Sequence, residues 1–261
     1  MMKFLHFTDP HLVGPGEILW GNDTANRMDR CLNDMVEGHR DAEFCVLTGD
    51  ITDNGGEAAY EWMANRLETF PIRTILLLGN HDDRRTFYRY FPDTPTDDHG
   101  FVQQSYRTDA EVFLFLDTLK HSKVSEGQYC SKRHEWFRRQ LSDAGDKPVY
   151  IFMHHPPFDV GMAYMDRIKL DEAEKFADTI RYGHNVQHIF FGHIHRATFV
   201  KWHGISCSSL PGLNHQVPLV RERVGTAYCQ EPAMYGVVHL EKEQMTIHHE
   251  AFLHRAPVPM A

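Results

Sequence analysis

A chain of 261 residues with 42% hydrophobic and 24% charged side chains has enough apolar material for one buried α/β core, which excludes a disordered chain and leaves no room for two full domains. The formal net charge of −9 argues against a protein that grips nucleic acid through its phosphates, because that affinity comes from clustered Lys and Arg. Cys31, Cys45, Cys130, Cys207 and Cys229 are widely spaced and odd in number, so they read as reduced thiols. The opening MMKFLHFTDPHL is too short in apolar residues for a secretory core, and no stretch approaches the roughly 18 apolar residues of a membrane span, so the expected location is the cytoplasm.

The first third alternates strand-like and helix-like segments: strand 2–7, helix 24–40 capped by Asp23 or Thr24, strand 43–48, helix 56–70 after the Gly55-Gly56 break, strand 72–78, and helix 84–91. This is a βαβ rhythm. VLTGDI and ILLLGN are near-continuous apolar runs, as expected of parallel strands covered on both faces. Next come FVQQSYR and EVFLFLD as a strand pair, a helix at 132–144, the strand PVYIFM, a helix at 171–181 and the strand VQHIFFG. RTFYRYF at 85–91 and KRHEWFRR at 132–139 each read as an amphipathic helix with a solvated basic face. ATFVKW, ISCSSL, YGVVHL and MTIHHEAFL are short and turn-separated, which predicts an antiparallel second sheet. The fold class is therefore α/β, a four-layer α/β/β/α sandwich of two mixed sheets flanked by helices, in a single domain over residues 1–261. Segments 158–170 and 211–234 lack periodicity and are expected to be loops over a site.

Five of these runs end in residues suited to holding metal: FLHFTDPHL, FCVLTGDI, ILLLGNHDD, YIFMHHPP and IFFGHIHR. They supply Asp9, His11, Asp50, Asn80, His154, His193 and His195. A lone His after a strand is usually a hydrogen-bonded structural residue, but five such endings in one chain point to a shared centre. Asp-x-His and His-x-His place two ligands at i and i+2, which in an extended segment turns both to one side. The glycines before Asp50 and Asn80 allow a sharp turn into the site. Two divalent ions bring four positive charges; Asp9 and Asp50 remove two, and a hydroxide with a phosphodiester monoanion removes the rest. The neutral amide of Asn80 keeps the empty pocket attractive to an anion. A donor set of nitrogen and oxygen without thiolate fits two divalent or mixed-valence ions drawn from Mn, Fe, Zn or Co. Two such ions acidify a shared water and clamp an in-line displacement at phosphorus. His81, beside Asn80, is placed either to donate to the phosphoryl group and leaving alkoxide or to make a structural hydrogen bond. His184, His188, His248, His249 and His254 have no carboxylate partners at ligand spacing and are given no role. Trp20 and Tyr164 are the candidates for a base-stacking wall and, with Met162, for lining a substrate pocket, although aromatic and Met residues near loops more often serve packing.

The ordered set D-x-H, G-D, G-N-H-D, H-H-P-P and G-H-x-H, spanning residues 9 to 195, resembles the calcineurin-like metallophosphoesterase superfamily. GGE after GD-I-T-D, GNHDD, GDKP before a strand, FMHHPP and LPGLNHQVP resemble its bacterial branch of glycerophosphodiesterases and class III cyclic-nucleotide phosphodiesterases. The resemblance implies the metallophosphoesterase fold and a dinuclear metal-dependent phosphoric diester hydrolase, acting by in-line attack of a metal-bridging hydroxide. It implies that Asp9, His11 and His195 hold one ion, that Asn80, His154 and His193 hold the other, and that Asp50 is shared. It places His155 behind the ligands and brings His215 toward the phosphate beside His81. Pro10 inside D-x-H departs little from the pattern, and the stretch after about 220 matches no motif. The expected substrate is a small-molecule phosphodiester of the glycerophosphodiester type, handled promiscuously; the alternative is a 3′,5′-cyclic nucleotide. A nuclease and a non-catalytic scaffold are weaker readings, since the chain is acidic and keeps every ligand. No nucleic-acid polymer or membrane partner is expected, and a homo-oligomer is expected by analogy with related enzymes.

Overall fold

The computed structural model describes residues 2–120, 124–219 and 228–254. The βαβ rhythm builds the first sheet. Strand β1 (Met2–Phe7) is followed by a two-residue-stranded hairpin, β2 (Ile18–Leu19) and β3 (Asn22–Asp23), then by helix α1 (Thr24–His39), β4 (Cys45–Thr48), α2 (Glu57–Glu68), β5 (Thr74–Leu77) and α3 (Arg84–Tyr90). Asp23 caps α1 by accepting from the backbone N–H of Asn26, and Asp83 caps α3 through Thr86. The chain continues through β6 (Gln104–Arg107), β7 (Val112–Phe115), α4 (Ser131–Ala144), β8 (Val149–Met153), α5 (Ala173–Ile180), β9 (Val186–Phe191), β10 (Thr198–Trp202), β11 (Ile205–Ser209), β12 (Tyr235–Leu240) and β13 (Met245–Glu250).

One sheet has the order β13-β12-β1-β4-β5 and the other β10-β11-β9-β8-β7-β6. Strands β1, β4 and β5 are parallel, as are β7, β8, β9 and β11; the remaining strands are antiparallel to their neighbours. The layers between and outside the sheets are apolar. Phe4, Phe44, Phe113, Phe115, Phe152 and Phe190 fill the space between the sheets, with Phe152 and Phe190 stacked at 4.7 Å. Helices α1 and α2 cover the outside of the first sheet through Met28, Leu32, Met35, Tyr60 and Met63, while α4 and α5 cover the second through Phe137, Leu141, Phe176 and Ile180. The result is the four-layer α/β/β/α sandwich.

The last third differs from its sequence reading. The β10–β11 and β12–β13 hairpins do not form a sheet of their own: β11 lies parallel to β9, and β12 lies antiparallel to β1 in the other sheet. Each inner strand is buried, so each needs a neighbour on its free edge, and local alternation carries no information about which edge that is. A second difference concerns the basic helix 132–139. Arg133 is fully buried, donating from its Nη1 to the carbonyls of Asp117 (2.8 Å) and Leu119 (3.1 Å), with its guanidinium 4.4 Å from the Phe101 ring centroid. Segment 158–170 also turns inward, burying Phe158, Met162, Met165 and Leu170 in the core beneath α4 and α5. Residues 220–227 of the second expected loop lie outside the described residues.

His188 gives the fold an acid sensitivity. It is buried with its ring nitrogens 2.7 Å from Ser206 Oγ and 2.8 Å from Ser208 Oγ, and burial pushes its pKa down to about 3. The unfolded chain therefore takes up this proton first, so the stability is intact above the ordinary value of 6.5 and falls as pH drops toward 3, by about 1.4 kcal/mol per pH unit. Thermal melts between pH 7 and pH 4.5 should show a falling Tm, and His188→Asn should flatten that slope. An unchanged slope in the variant would assign the acid sensitivity elsewhere.

Candidate metal centre

The seven predicted ligands meet where β1, β4, β5, β8 and β9 end, the side of an open α/β sheet on which sites are built. The local backbone is not the extended segment that the i, i+2 spacing suggests. Asp9 (φ 53), His11 (φ 44), Asp50 (φ 49), His193 (φ 70) and His195 (φ 49) all lie in the left-handed region. The strands therefore end in tight turns that throw each ligand inward, at a cost that Asp and His bear better than most residues. Gly49 (φ 96) also has no room for a side chain: a Cβ there would lie 2.5 Å from His154 Nδ1.

Asp9, His11 and His195 form one half of the centre. Asp9 Oδ2 accepts from Thr8 Oγ1 (2.7 Å) and the backbone N–H of His193 (3.1 Å), which leaves Oδ1 buried without a hydrogen bond, 3.3 Å from His195 Nε2 and 4.0 Å from His11 Nε2. The two imidazole Nε2 atoms face each other at 3.1 Å. His154, Asn80 and His193 form the other half, with His154 Nε2 3.2 Å from Asn80 Oδ1 and the His193 ring 5.1 Å from that of His154. His193 Nε2 is buried and has no hydrogen-bond partner. Asp50 stands between the halves, its Oδ2 3.5 Å from His11 Nε2 and 3.4 Å from His154 Nε2.

These residues fit a pair of cations. Orphaned buried atoms such as Asp9 Oδ1 and His193 Nε2 cost stability unless something positive or electrophilic meets them. Three histidines are set as ligands by what holds their outer nitrogens: His11 Nδ1 donates to Asp53 Oδ1 (3.2 Å), His154 Nδ1 to the Thr48 carbonyl (2.7 Å) and His195 Nδ1 to the His215 carbonyl (2.9 Å). Each Nε2 is thereby aimed inward, the usual support of a metal-bound imidazole. The electrostatics agree. Burial alone would raise Asp9 and Asp50, but their neighbouring histidines outweigh it and hold both carboxylates below the usual range. Against the same burial, Asp50 raises His154 to about 9 and Asp9 raises His195. His193 goes the other way, down to about 3, by burial and then by the positive charge of His154, which keeps it a neutral donor.

Sequence reasoning missed two supporting carboxylates. Asp82 is buried and accepts from the backbone N–H groups of Ile51 (3.1 Å), Thr52 (3.1 Å) and Gly79 (3.0 Å) and from the Tyr60 hydroxyl (2.8 Å), so it clamps the Asp50 turn to the Asn80 turn. Burial and the nearby Asp50 push its pKa up to about 6. Asp53 holds His11 through its side chain and His81 Nδ1 through its carbonyl (2.7 Å). Both follow ligands in GDITD and GNHDD, but a motif does not say which backbone amides a carboxylate will meet. His155 has both nitrogens engaged, by Thr118 Oγ1 (2.8 Å) and the Ser125 carbonyl (3.2 Å), leaving His154 as the inward residue of the pair.

His81 and His215 both pack against His11, with ring centroids 4.6 and 4.9 Å from it. The backbone N–H of His81 donates to Asp50 Oδ1 (2.8 Å), and its side chain opens into a cleft of about 730 Å³ lined by Asn54, Arg84, Arg85, Tyr88 and Lys120. Asn214 Nδ2 donates to His215 Nδ1 (3.2 Å), which leaves the proton of the neutral ring on Nε2. Trp20 sits beside His215, whereas Tyr164 and Met162 pack into the core under α4 and α5.

Residues 2–197 match the family model described as calcineurin-like phosphoesterase. The chain belongs to the calcineurin-like phosphoesterase family. It is 35% identical to a probable cyclic nucleotide phosphodiesterase of Rhodopseudomonas palustris, over 98% of this chain and 95% of that protein. It is 29% identical to the glycerophosphodiester phosphodiesterase GpdQ of Enterobacter lignolyticus, over 98% and 93%. Among solved structures it resembles a dimetal phosphatase from Danio rerio with a TM-score of 0.72, over 97% of this chain and 96% of that one; at 14% identity the likeness is one of fold. As a calcineurin-like phosphoesterase the chain is a hydrolase that works with divalent metal ions. No helix among the described residues is long and apolar enough to cross a membrane.

Proposed function

We propose that this phosphoesterase hydrolyses small phosphodiesters of the glycerophosphodiester type and accepts 3′,5′-cyclic nucleotides at the same centre. The observation that carries this reading is the position of Asp50 Oδ2 between His11 Nε2 at 3.5 Å and His154 Nε2 at 3.4 Å, which makes one carboxylate common to two sets of donors. The relatives named for each substrate class support both arms of the proposal. Asp9, His11 and His195 would hold one ion and Asn80, His154 and His193 the other, with Mn, Fe, Zn or Co as the fitting metals. When bound, such a pair supplies Lewis acidity toward the phosphoryl oxygens and a nucleophile at neutral pH.

The chain's own residues do the rest. Asp50 and Asp53 fix His81 from its backbone and from Nδ1, so that Nε2 faces the cleft and can give its proton to the departing alkoxide. His215, packed against His11 and with its proton on Nε2, donates to the phosphoryl group. The walls of the centre are buried, which keeps bulk water from competing for these donors. A cytoplasmic location belongs to the same proposal and is supported by the five free cysteines.

Protein stripped of metal and reloaded with Mn or Co should cleave bis(p-nitrophenyl) phosphate, and a panel of cAMP, glycerophosphocholine, glycerophosphoethanolamine and a phosphomonoester should show higher kcat/KM on the diesters. No turnover with any of the four metals, or a preference for the monoester, would reject the reading. Asn80→Ala should lower the metal content from two ions per chain toward one and reduce diesterase activity by about 10- to 100-fold, the usual loss when a metal site is weakened. Full occupancy with full activity in that variant would remove Asn80 from the ligand set.

A further inference from the structure

The hairpin β2–β3 turns through Trp20 (φ 52) and Gly21 (φ 82), a two-residue turn with both central residues at positive φ. That turn favours Asn or Asp followed by Gly, and a bulky aromatic in its first position is an outlier. The tryptophan is also 52% exposed, although burial would have been worth more to the fold than display. Strain combined with exposure in one residue points to a use outside the core.

The hairpin is anchored to the catalytic side of the molecule. Asn22, itself buried, donates to the carbonyl and side-chain oxygens of Asn214, each at 3.0 Å, and to Gln230 Oε1 at 3.1 Å, while Gln230 donates back to the Trp20 carbonyl at 2.9 Å. These bonds tie the turn to the segment that carries His215. The rings then form a continuous series outward from the centre: His11 to His215 at 4.9 Å, His215 to Tyr228 at 4.3 Å, and Tyr228 to Trp20 at 4.5 Å. A diester held between His81 and His215 has two ester arms. His81 lines the polar cleft and His215 meets the aromatic wall, so the two arms would meet different surroundings.

We propose that Trp20, backed by Tyr228, is the specificity-determining surface for a planar, neutral heteroaromatic arm, the nucleobase of a nucleotide diester; this rests on the phosphodiesterase reading given above. A quaternary ammonium arm would also be attracted to an indole face. It is disfavoured here because a cation is already built into the anchor of the hairpin: Arg27 donates to Asn214 O and to Gln230 Oε1, and Gln230 in turn holds the Trp20 carbonyl. A glycerol arm offers no π face and gains nothing from it. The wall thus separates nucleotide from glycerol esters without touching the chemistry at phosphorus.

The test compares Trp20→Ala and Trp20→Phe with the wild type in the metal-loaded enzyme, using cAMP, glycerophosphoethanolamine and glycerophosphocholine. Trp20→Ala should lower kcat/KM for cAMP by about 10- to 100-fold, chiefly through KM, the loss expected when a base loses its stacking partner. Trp20→Phe should recover part of it, and both variants should stay within about twofold of wild type on the two glycerol esters. Equal losses on all three substrates, no loss on any, or a selective loss on glycerophosphocholine would overturn the proposal. So would a fall in molecular mass of Trp20→Ala in solution with uniform slowing, which would assign the wall to contacts between copies. A readout independent of turnover is the quenching of tryptophan fluorescence by AMP, which Trp20→Phe should abolish. If the wild type hydrolyses no diester, the functional reading fails by itself, and this quenching still decides whether the wall takes a nucleobase.

Discussion

Asp50→Asn should reduce kcat/KM on any diester by on the order of 10³-fold or more and should deplete both ions rather than one. The variant keeps the side chain's shape and removes its charge. Asp50 Oδ2 lies 3.5 Å from His11 Nε2 and 3.4 Å from His154 Nε2, and Oδ1 accepts from the backbone N–H of His81, so a single substitution reaches both halves of the centre and the residue beside it. Several kcal/mol of charge stabilisation lost at the transition state corresponds to about three or more powers of ten in rate. The far-ultraviolet spectrum should be unchanged, because the turn at Asp50 is also held by backbone bonds from Asp9 to Gly49 and from His11 to Asp50. The contrast with Asn80→Ala is the informative part: depletion of one ion there and of two here. An Asp50→Asn protein that kept both ions and activity within tenfold of wild type would refute a shared carboxylate.

Asp82→Ala should be the most destabilising single change near the site, by about 3 to 5 kcal/mol, and should weaken metal binding by about 10- to 100-fold without removing any ligand. The side chain satisfies three backbone amides and the Tyr60 hydroxyl in a buried place. Removing it leaves these donors unpaired and releases the Asp50 turn from the Asn80 turn. Asp82→Asn retains an acceptor oxygen but presents an NH₂ to some of the same donors, so it should lie between alanine and wild type. Chemical denaturation followed with metal titration separates the two effects. An alanine variant as stable as wild type would mean that water replaces the carboxylate, and normal metal affinity would mean that the two turns hold their positions independently.

The ligands were legible because their types are unusual at the ends of apolar runs and because five runs repeat the arrangement. What joins those runs was less visible. Asp82 and Asp53 look like ordinary acidic residues, since their roles depend on amides and rings brought to them from other turns. The i, i+2 spacing in Asp9-Pro10-His11 and His193-Ile194-His195 suggested extended backbone; the left-handed φ values record instead that the chain must fold back sharply to let all five strand ends meet. Strand existence was readable from hydrophobicity throughout. The allotment of β11 to one sheet and β12 to the other was not, because it is decided by which sheet edge remains open after the parallel strands have assembled. Arg133 looked solvated in a run of bases, and only the meeting of α4 with the end of β7 gives it buried carbonyls to bind.

The most direct test of the central claim is anomalous diffraction from crystals of the protein loaded with manganese. Two peaks on either side of the Asp50 carboxylate, one among Asp9, His11 and His195 and the other among Asn80, His154 and His193, are predicted. A single peak, or peaks away from these side chains, would contradict a dinuclear centre at this place.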